Sequence, residues 1–131
     1  MVVCYDFVWY HERLKGQIEG AKYRPACIVV AVPEENGNFV VTYAPITTKE
    51  PALTTSAIEL PEAEKRHLGL TAPRCWVVVH ELNEEAWPHG LTPVKGASKG
   101  QEFLFGRLSP GFLRQILRLQ LSISAKVIPR A

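Results

Sequence analysis

This sequence has few cysteines, and their arrangement fits neither of the usual structural uses. Cys4, Cys27 and Cys75 are odd in number, widely spaced and set in apolar runs. A disulfide framework needs paired cysteines and a zinc site needs closely spaced ligands, so neither is indicated. The pattern is typical of buried, reduced thiols in a cytosolic protein. Acids and histidines are scattered without an HxxxH or DxD motif, so we predict no metal site and no cofactor.

Long apolar runs are also missing. No stretch approaches the roughly 18 apolar residues that a membrane-spanning helix needs. Asp6 interrupts the apolar residues at the start, so no signal-peptide pattern appears there. We therefore expect a soluble, cytoplasmic protein with no membrane partner.

Neither sign of charge is in large excess. The chain has 15 Lys and Arg against 13 Asp and Glu, a formal net charge of +2. This composition does not indicate a nucleic-acid binder, which usually has a clear basic excess on one face, although net charge does not reveal local clusters. The 131 residues contain no repeat or low-complexity segment, so we predict one domain spanning 1–131.

The most informative stretch is the apolar run 26–32, which follows Tyr23-Arg24-Pro25. Seven consecutive apolar residues predict a strand that is covered on both faces, and Pro25 is tolerated only at its first position. An Asn-Gly pair at 36–37 and a second β-rich run at 39–44 complete an antiparallel hairpin.

This hairpin brings Thr47 and Thr48 close to Arg24, because the end of the second strand returns beside the start of the first. An arginine and hydroxyl groups at one end of a sheet form a plausible oxyanion or phosphate site. Two alternatives remain open: Arg24 could form a surface ion pair with Glu19 or Glu50, and Thr47 could cap its own loop.

The remaining elements follow from local signals. We predict an opening strand over 1–10, an exposed loop over 11–23, a short helix over 61–69, a buried strand over 75–82, a last short strand over 102–108, and a C-terminal helix that begins at Ser109-Pro110. The tail from 124 to 131 could be a short strand or disordered. Within the first loop, His11 and Glu12 fit either a proton-transfer pair or plain solvated residues.

Five to seven short strands with two helices predict a mainly β protein with a compact, strongly curved antiparallel sheet. The order of Trp9, Glu19, Arg24-Pro25, an apolar strand, an Asn-Gly turn, a second apolar strand and Pro45-x-Thr47 resembles the MazF/PemK toxins of bacterial toxin–antitoxin modules. The match covers residues 1–50 well and the remainder loosely.

The resemblance implies a small SH3-like β-barrel of the CcdB/MazF type, usually a homodimer with an RNA groove near the dimer interface. It also implies a metal-independent endoribonuclease that cleaves single-stranded RNA through the 2′-OH and leaves a cyclic phosphate. A cognate antitoxin protein, whose disordered tail occupies the groove, is the expected partner.

The resemblance also implies roles for individual residues. Arg24 would hold the scissile phosphate, Thr47 would donate a hydrogen bond to a phosphate oxygen, and Glu19 would act as base or orienting group. Trp9, Tyr23 and Trp87 are candidates to stack RNA bases, with core packing as the alternative for Trp9.

One strand departs from the family pattern. Better-known members have an Asp-Gln pair near its end, where this chain has His80-Glu81, followed by Asn83. If this alignment holds, these three residues face the substrate; the alternative is a strand-end histidine that points to solvent. The departure also keeps open a second class of function, that of a CcdB-like or catalytically weakened toxin fold that binds a protein target such as DNA gyrase.

Overall fold

Eight strands and three helices organise the chain in a computed structural model that describes residues 1–14, 23–52, 54–94, 103–123 and 125–130. The strands are β1 (Val2–Tyr5), β2 (Arg24–Pro33), β3 (Phe39–Thr47), β4 (Ala57–Glu59), β5 (Trp76–Val78), β6 (Glu81–Ala86), β7 (Leu104–Gly106) and β8 (Lys126–Pro129). The helices are α1 (Tyr10–Leu14), α2 (Glu62–Leu68) and α3 (Pro110–Ser122), and a 3-10 turn covers Thr54–Ser56.

The protein is mainly β, as predicted, and its eight strands form one sheet. The order along the main path is β4-β5-β3-β2-β1-β7, while β6 pairs with β3 and β8 pairs with β6. All pairings are antiparallel except that of β6 with β8. Within the described residues the sheet is not closed, because β4 and β7 end the path without pairing with each other.

The predicted hairpin of β2 and β3 is confirmed, but the prediction that the first strand is covered on both faces is wrong for its second half, where Val30 and Val32 are exposed because no described element packs over them. Ala26 pairs with Pro45, and continuing this register two residues outward brings Thr47 opposite Arg24. The turn contains Gly37 at a φ of 84°, a backbone conformation that glycine adopts without steric cost. The backbone pairing of the two strands therefore brings the Arg24 and Thr47 side chains close together.

The strand predicted at 75–82 is wrong in its extent, since two strands replace it. Ile46 pairs with Val77 and Tyr43 pairs with Asn83, so three steps along β3 correspond to six steps along its neighbour. The extra residues form a bulge between β5 and β6 at Val79 and His80. Bulges bend a strand and redirect its side chains, and they are common beside active sites.

The opening segment also differs from the prediction. β1 ends at Tyr5, and α1 replaces part of the predicted strand and loop. Carboxylates stabilise the start of this short helix by accepting backbone N–H groups. The backbone N–H of Trp9 donates to Oε1 of Glu12 at 2.9 Å, and that of Tyr10 donates to Oε1 of Glu81 at 2.6 Å.

Both predicted helices are confirmed by their caps. Gly69 ends α2 in the left-handed conformation, and the Ser109 hydroxyl accepts the N–H of Phe112 at the start of α3. Phe112 and Ile116 bury the inner face of α3 against the main apolar core. The tail adopts the strand alternative, as β8. No described helix has the length and apolar character to cross a membrane.

Gly90 offers a test of this packing. It has a φ of 82°, and an added Cβ would lie 2.6 Å from Cε1 of Tyr5 and 2.9 Å from Oε2 of Glu85. We expect Gly90→Ala to lower the free energy of unfolding by about 2–4 kcal/mol, from backbone strain plus the clash. Gly37→Ala is the matched control, because Gly37 has a similar φ and open space around it. Urea unfolding should show a loss of about 1 kcal/mol there; equal losses would contradict the clash.

Candidate functional site

A cleft of about 650 Å³ lies at the end of the β2–β3 hairpin. It brings together six of the predicted site residues, which are Trp9, Arg24, Thr47, Thr48, His80 and Glu81. Further side chains around it come from α1 and from the loop after β3, namely His11, Lys49 and Glu50. Arg24 and Thr47 are placed by the hairpin register, and His80 and Glu81 by the bulge between β5 and β6.

Arg24 provides a partly buried positive charge to this cleft. Its Cζ lies 5.1 Å from the centroid of the Trp9 ring, close enough for a cation–π contact. Its Nε is buried, and no atom of the described residues is placed to accept its hydrogen bond. Burial lowers the pKa of the Arg24 guanidinium from its usual range, while the nearby Glu12 carboxylate opposes this shift.

Thr47 has a hydroxyl hydrogen available for an anion. Its Oγ1 accepts the N–H of Lys49 at 3.2 Å, so the threonine does cap its own turn, as one alternative suggested. A hydroxyl can accept and donate at the same time, so its proton remains available to a ligand. Thr48 and Lys49 are exposed beside it, which adds one more hydroxyl and one more positive charge to this wall.

His80 and Glu81 also line the cleft, and the histidine ring contacts the buried Ser56, which does not itself line it. Nδ1 of His80 lies 2.7 Å from Oγ of Ser56, and Nε2 lies 3.6 Å from Oε2 of Glu81. The histidine side chain is 25% exposed and the glutamate side chain 17% exposed. The alternative of a strand-end histidine that points freely into solvent therefore does not describe this ring.

Two of the predicted site residues that the structure describes, Tyr23 and Asn83, do not line the cleft. Tyr23 is 51% exposed and does not line it. Asn83 is fully buried, where its amide accepts the N–H of Val8 and donates to the carbonyl of Val8, both at 2.9 Å. This amide holds the backbone together and has no access to a substrate. Glu19 lies outside the described residues.

Sequence reasoning missed Ser56 and Lys49. For Glu12 it left open whether the residue is half of a proton-transfer pair with His11 or a solvated loop residue. Glu12 is buried, accepts the Trp9 N–H and acts electrostatically on Arg24. Ser56 lies in a run of threonine, serine and alanine, which contains no signal for a contact 24 residues away. Only the fold brings Lys49 to the cleft and places Ser56 and Glu12 against residues that line it.

The described residues contain no group of three or more His, Cys, Asp or Glu that could hold a metal ion. Comparisons with models of protein families, with curated proteins and with solved structures find no match to this chain. The resemblance to the MazF/PemK toxins therefore rests on the motifs of the sequence and stays a prediction.

Proposed function

We propose that this chain is the toxin of a type II toxin–antitoxin module and acts as a metal-independent endoribonuclease on single-stranded RNA. The observation that supports this most directly is the partly buried Arg24 guanidinium, which lines the cleft beside Thr47 and whose Nε lacks an acceptor among the described residues. A buried donor without a partner is costly, and a phosphate oxygen would satisfy it. The Arg-Pro and Pro-x-Thr motifs of the resemblance coincide with these two residues.

The reaction needs a base that takes the proton of the 2′-OH and groups that stabilise the phosphate, which becomes five-coordinate as the 2′-oxygen attacks it. Arg24 would bind the non-bridging oxygens through its forked donors, and the Thr47 hydroxyl would donate to one of them. The bond from phosphorus to the 5′-oxygen then breaks, and the guanidinium gives a proton to that oxygen. Its lowered pKa favours this transfer. The products are a 2′,3′-cyclic phosphate and a 5′-hydroxyl.

RNA would lie along this cleft with its phosphates toward Arg24 and Lys49. Trp9, beside Arg24, offers an aromatic surface for a base, a contact that is tolerant of sequence. The proposal includes an SH3-like barrel arrangement, supported by β3, which pairs with β2 on one side and with β5 and β6 on the other. It also includes a homodimer and a cognate antitoxin, as the resemblance implies.

The proposal is tested by incubating the purified protein with mixed-sequence RNA in EDTA and mapping the ends. We expect cuts at one short sequence, with cyclic phosphate on one fragment and a 5′-hydroxyl on the other. Intact RNA would contradict the proposal. It would turn attention to a CcdB-like role, for which inhibition of DNA gyrase supercoiling is the direct assay.

A further inference from the structure

A contact at one ring nitrogen orients the imidazole of His80. Its Nδ1 lies 2.7 Å from Oγ of Ser56, and Ser56 is only 6% exposed. The Ser56 carbonyl accepts the N–H of Val79 at 3.0 Å, and the His80 carbonyl accepts the N–H of Lys126 at 2.9 Å. Backbone hydrogen bonds therefore hold both the histidine and the residue that contacts its ring.

The other ring nitrogen faces a carboxylate without a hydrogen bond to it. Nε2 lies 3.6 Å from Oε2 of Glu81, which is too long for a hydrogen bond but close enough to attract a positive charge. Glu81 is itself anchored, because its Oε1 accepts the N–H of Tyr10 at 2.6 Å. Both side chains line the same cleft as Arg24 and Thr47.

We propose that His80 is the general base of the reaction, and that Ser56 and Glu81 are positioning residues for its imidazole. This inference rests on the ribonuclease function proposed above. Imidazole is the side chain that ordinarily changes charge between pH 5 and 8, where a general base is most effective. The bulge that interrupts the strand is what turns His80 toward the cleft.

The proton transfers balance between two residues. With Nδ1–H donating to Ser56, the lone pair of Nε2 takes the proton of the 2′-OH. The 2′-oxygen forms a bond to phosphorus, and the bond from phosphorus to the 5′-oxygen breaks. Arg24 gives a proton to the 5′-oxygen, so His80 ends protonated and Arg24 ends neutral. Exchange with water restores both before the next turnover.

Several charged groups surround the imidazole and act on its protonated form. Glu81 lies next to the ring, and Glu50 lines the cleft from the loop after β3. Positive or titratable groups in the same cleft are Arg24, Lys49 and His11, and Lys126 of β8 contributes its backbone N–H behind the ring.

The test is the pH–rate profile of kcat/KM for a short oligoribonucleotide in EDTA, measured for wild type and three variants. We expect His80→Gln to lower the plateau rate about 100-fold and to lose the acid limb of the profile. Glu81→Gln, which keeps an acceptor for the Tyr10 N–H, should lower kcat with little change in KM. Ser56→Ala should lower kcat with little change in KM. His67→Gln, an exposed histidine of α2, is the matched control and should behave as wild type.

A substrate with sulfur in place of the bridging 5′-oxygen shows whether His80 is the general base or the general acid. A thiolate leaves without being protonated, so this substrate needs no general acid. His80→Gln should stay slow on this substrate. If it recovers the wild-type rate, His80 is the acid and the proposal is overturned.

A second test applies if circular dichroism shows that His80→Gln folds poorly. Added imidazole should then raise cleavage by His80→Ala but not by Arg24→Ala, and absence of this rescue would overturn the proposal.

The two proposals can fail separately. If wild type cleaves, Arg24→Ala does not, and His80→Gln keeps the wild-type rate and profile, the base assignment is wrong and the ribonuclease function stands. If wild type does not cleave RNA, the proposed function fails and the assignment fails with it.

Discussion

Replacement of Arg24 by alanine is expected to lower the rate of RNA cleavage about 1000-fold, the upper part of the range seen when one preorganised donor to a transition-state oxyanion is removed. The expectation follows from three observations: the guanidinium is partly buried, its Nε lacks an acceptor among the described residues, and Thr47 lies opposite it in the hairpin register. The measurement is a single-turnover time course in EDTA with protein in excess over RNA.

Two further variants make the test specific. Arg24→Lys keeps a positive charge but loses the planar fork that binds two phosphate oxygens, so it should recover only part of the rate. Arg114→Ala removes an exposed arginine of α3 that does not line the cleft, and it should leave cleavage unchanged. Cleavage by Arg24→Ala within a few-fold of wild type would show that the site lies elsewhere, while the fold would stand.

The position of the site could be predicted because it depends on short-range steric rules. A proline is tolerated near the start of a strand of this kind, where Pro25 is the second residue after Arg24, and an Asn-Gly pair favours a tight turn. The turn sets the pairing at the far end of the hairpin, and a one-residue shift between Ile28 and Val30, which no local signal specifies, then brings Thr47 rather than Thr48 opposite Arg24. The two helices were predictable for the same reason, since their caps are local.

The family resemblance placed His80 and Glu81 at the site, but the contacts around them could not be predicted, because those depend on long-range pairing. The bulge at His80 arises because six steps along β5 and β6 correspond to three steps along β3. No local sequence signal specifies that mismatch. Asn83 is a similar case. A polar residue after a strand suggested substrate contact, but its partner is the backbone of Val8, 75 positions away. The segment 81–86 has no apolar face of its own, so its burial depends on partners that are distant in sequence.

One of those partners is Arg130, which lies at the centre of a buried polar network. Its Nη1 donates to the carbonyl of Asp6 at 2.6 Å and to Oδ1 of Asn83 at 3.2 Å, and its Nη2 lies 3.4 Å from the Asp6 carboxylate. Nη1 is also 3.3 Å from the Tyr5 hydroxyl, which donates to the buried Glu85 carboxylate at 2.6 Å. The Arg130 and Asp6 side chains are only 8% and 11% exposed.

We expect Arg130→Ala to lower the free energy of unfolding by about 3–5 kcal/mol, because it leaves the Asp6 carboxylate buried without its cation. Urea unfolding followed by circular dichroism measures this directly. Such a loss is a large part of the stability of an ordinary domain, which is about 5–15 kcal/mol. A loss below about 1 kcal/mol, typical of an exposed ion pair, would show that the network is hydrated in solution.

Arg74 supplies the matched control, because it has similar hydrogen bonds without the burial. Its guanidinium makes two bonds to Glu59, at 2.9 and 2.8 Å, yet both side chains are exposed. Water screens that pair and solvates either partner alone, so Arg74→Ala should hardly change the unfolding curve.

The double variant Asp6→Asn with Arg130→Met distinguishes the cost of an unpaired charge from the cost of lost packing. It removes both charges together, so it should be more stable than Arg130→Met alone if the cost comes from an unpaired buried carboxylate. Equal stability of the double and single variants would instead assign the cost to lost packing around Arg130.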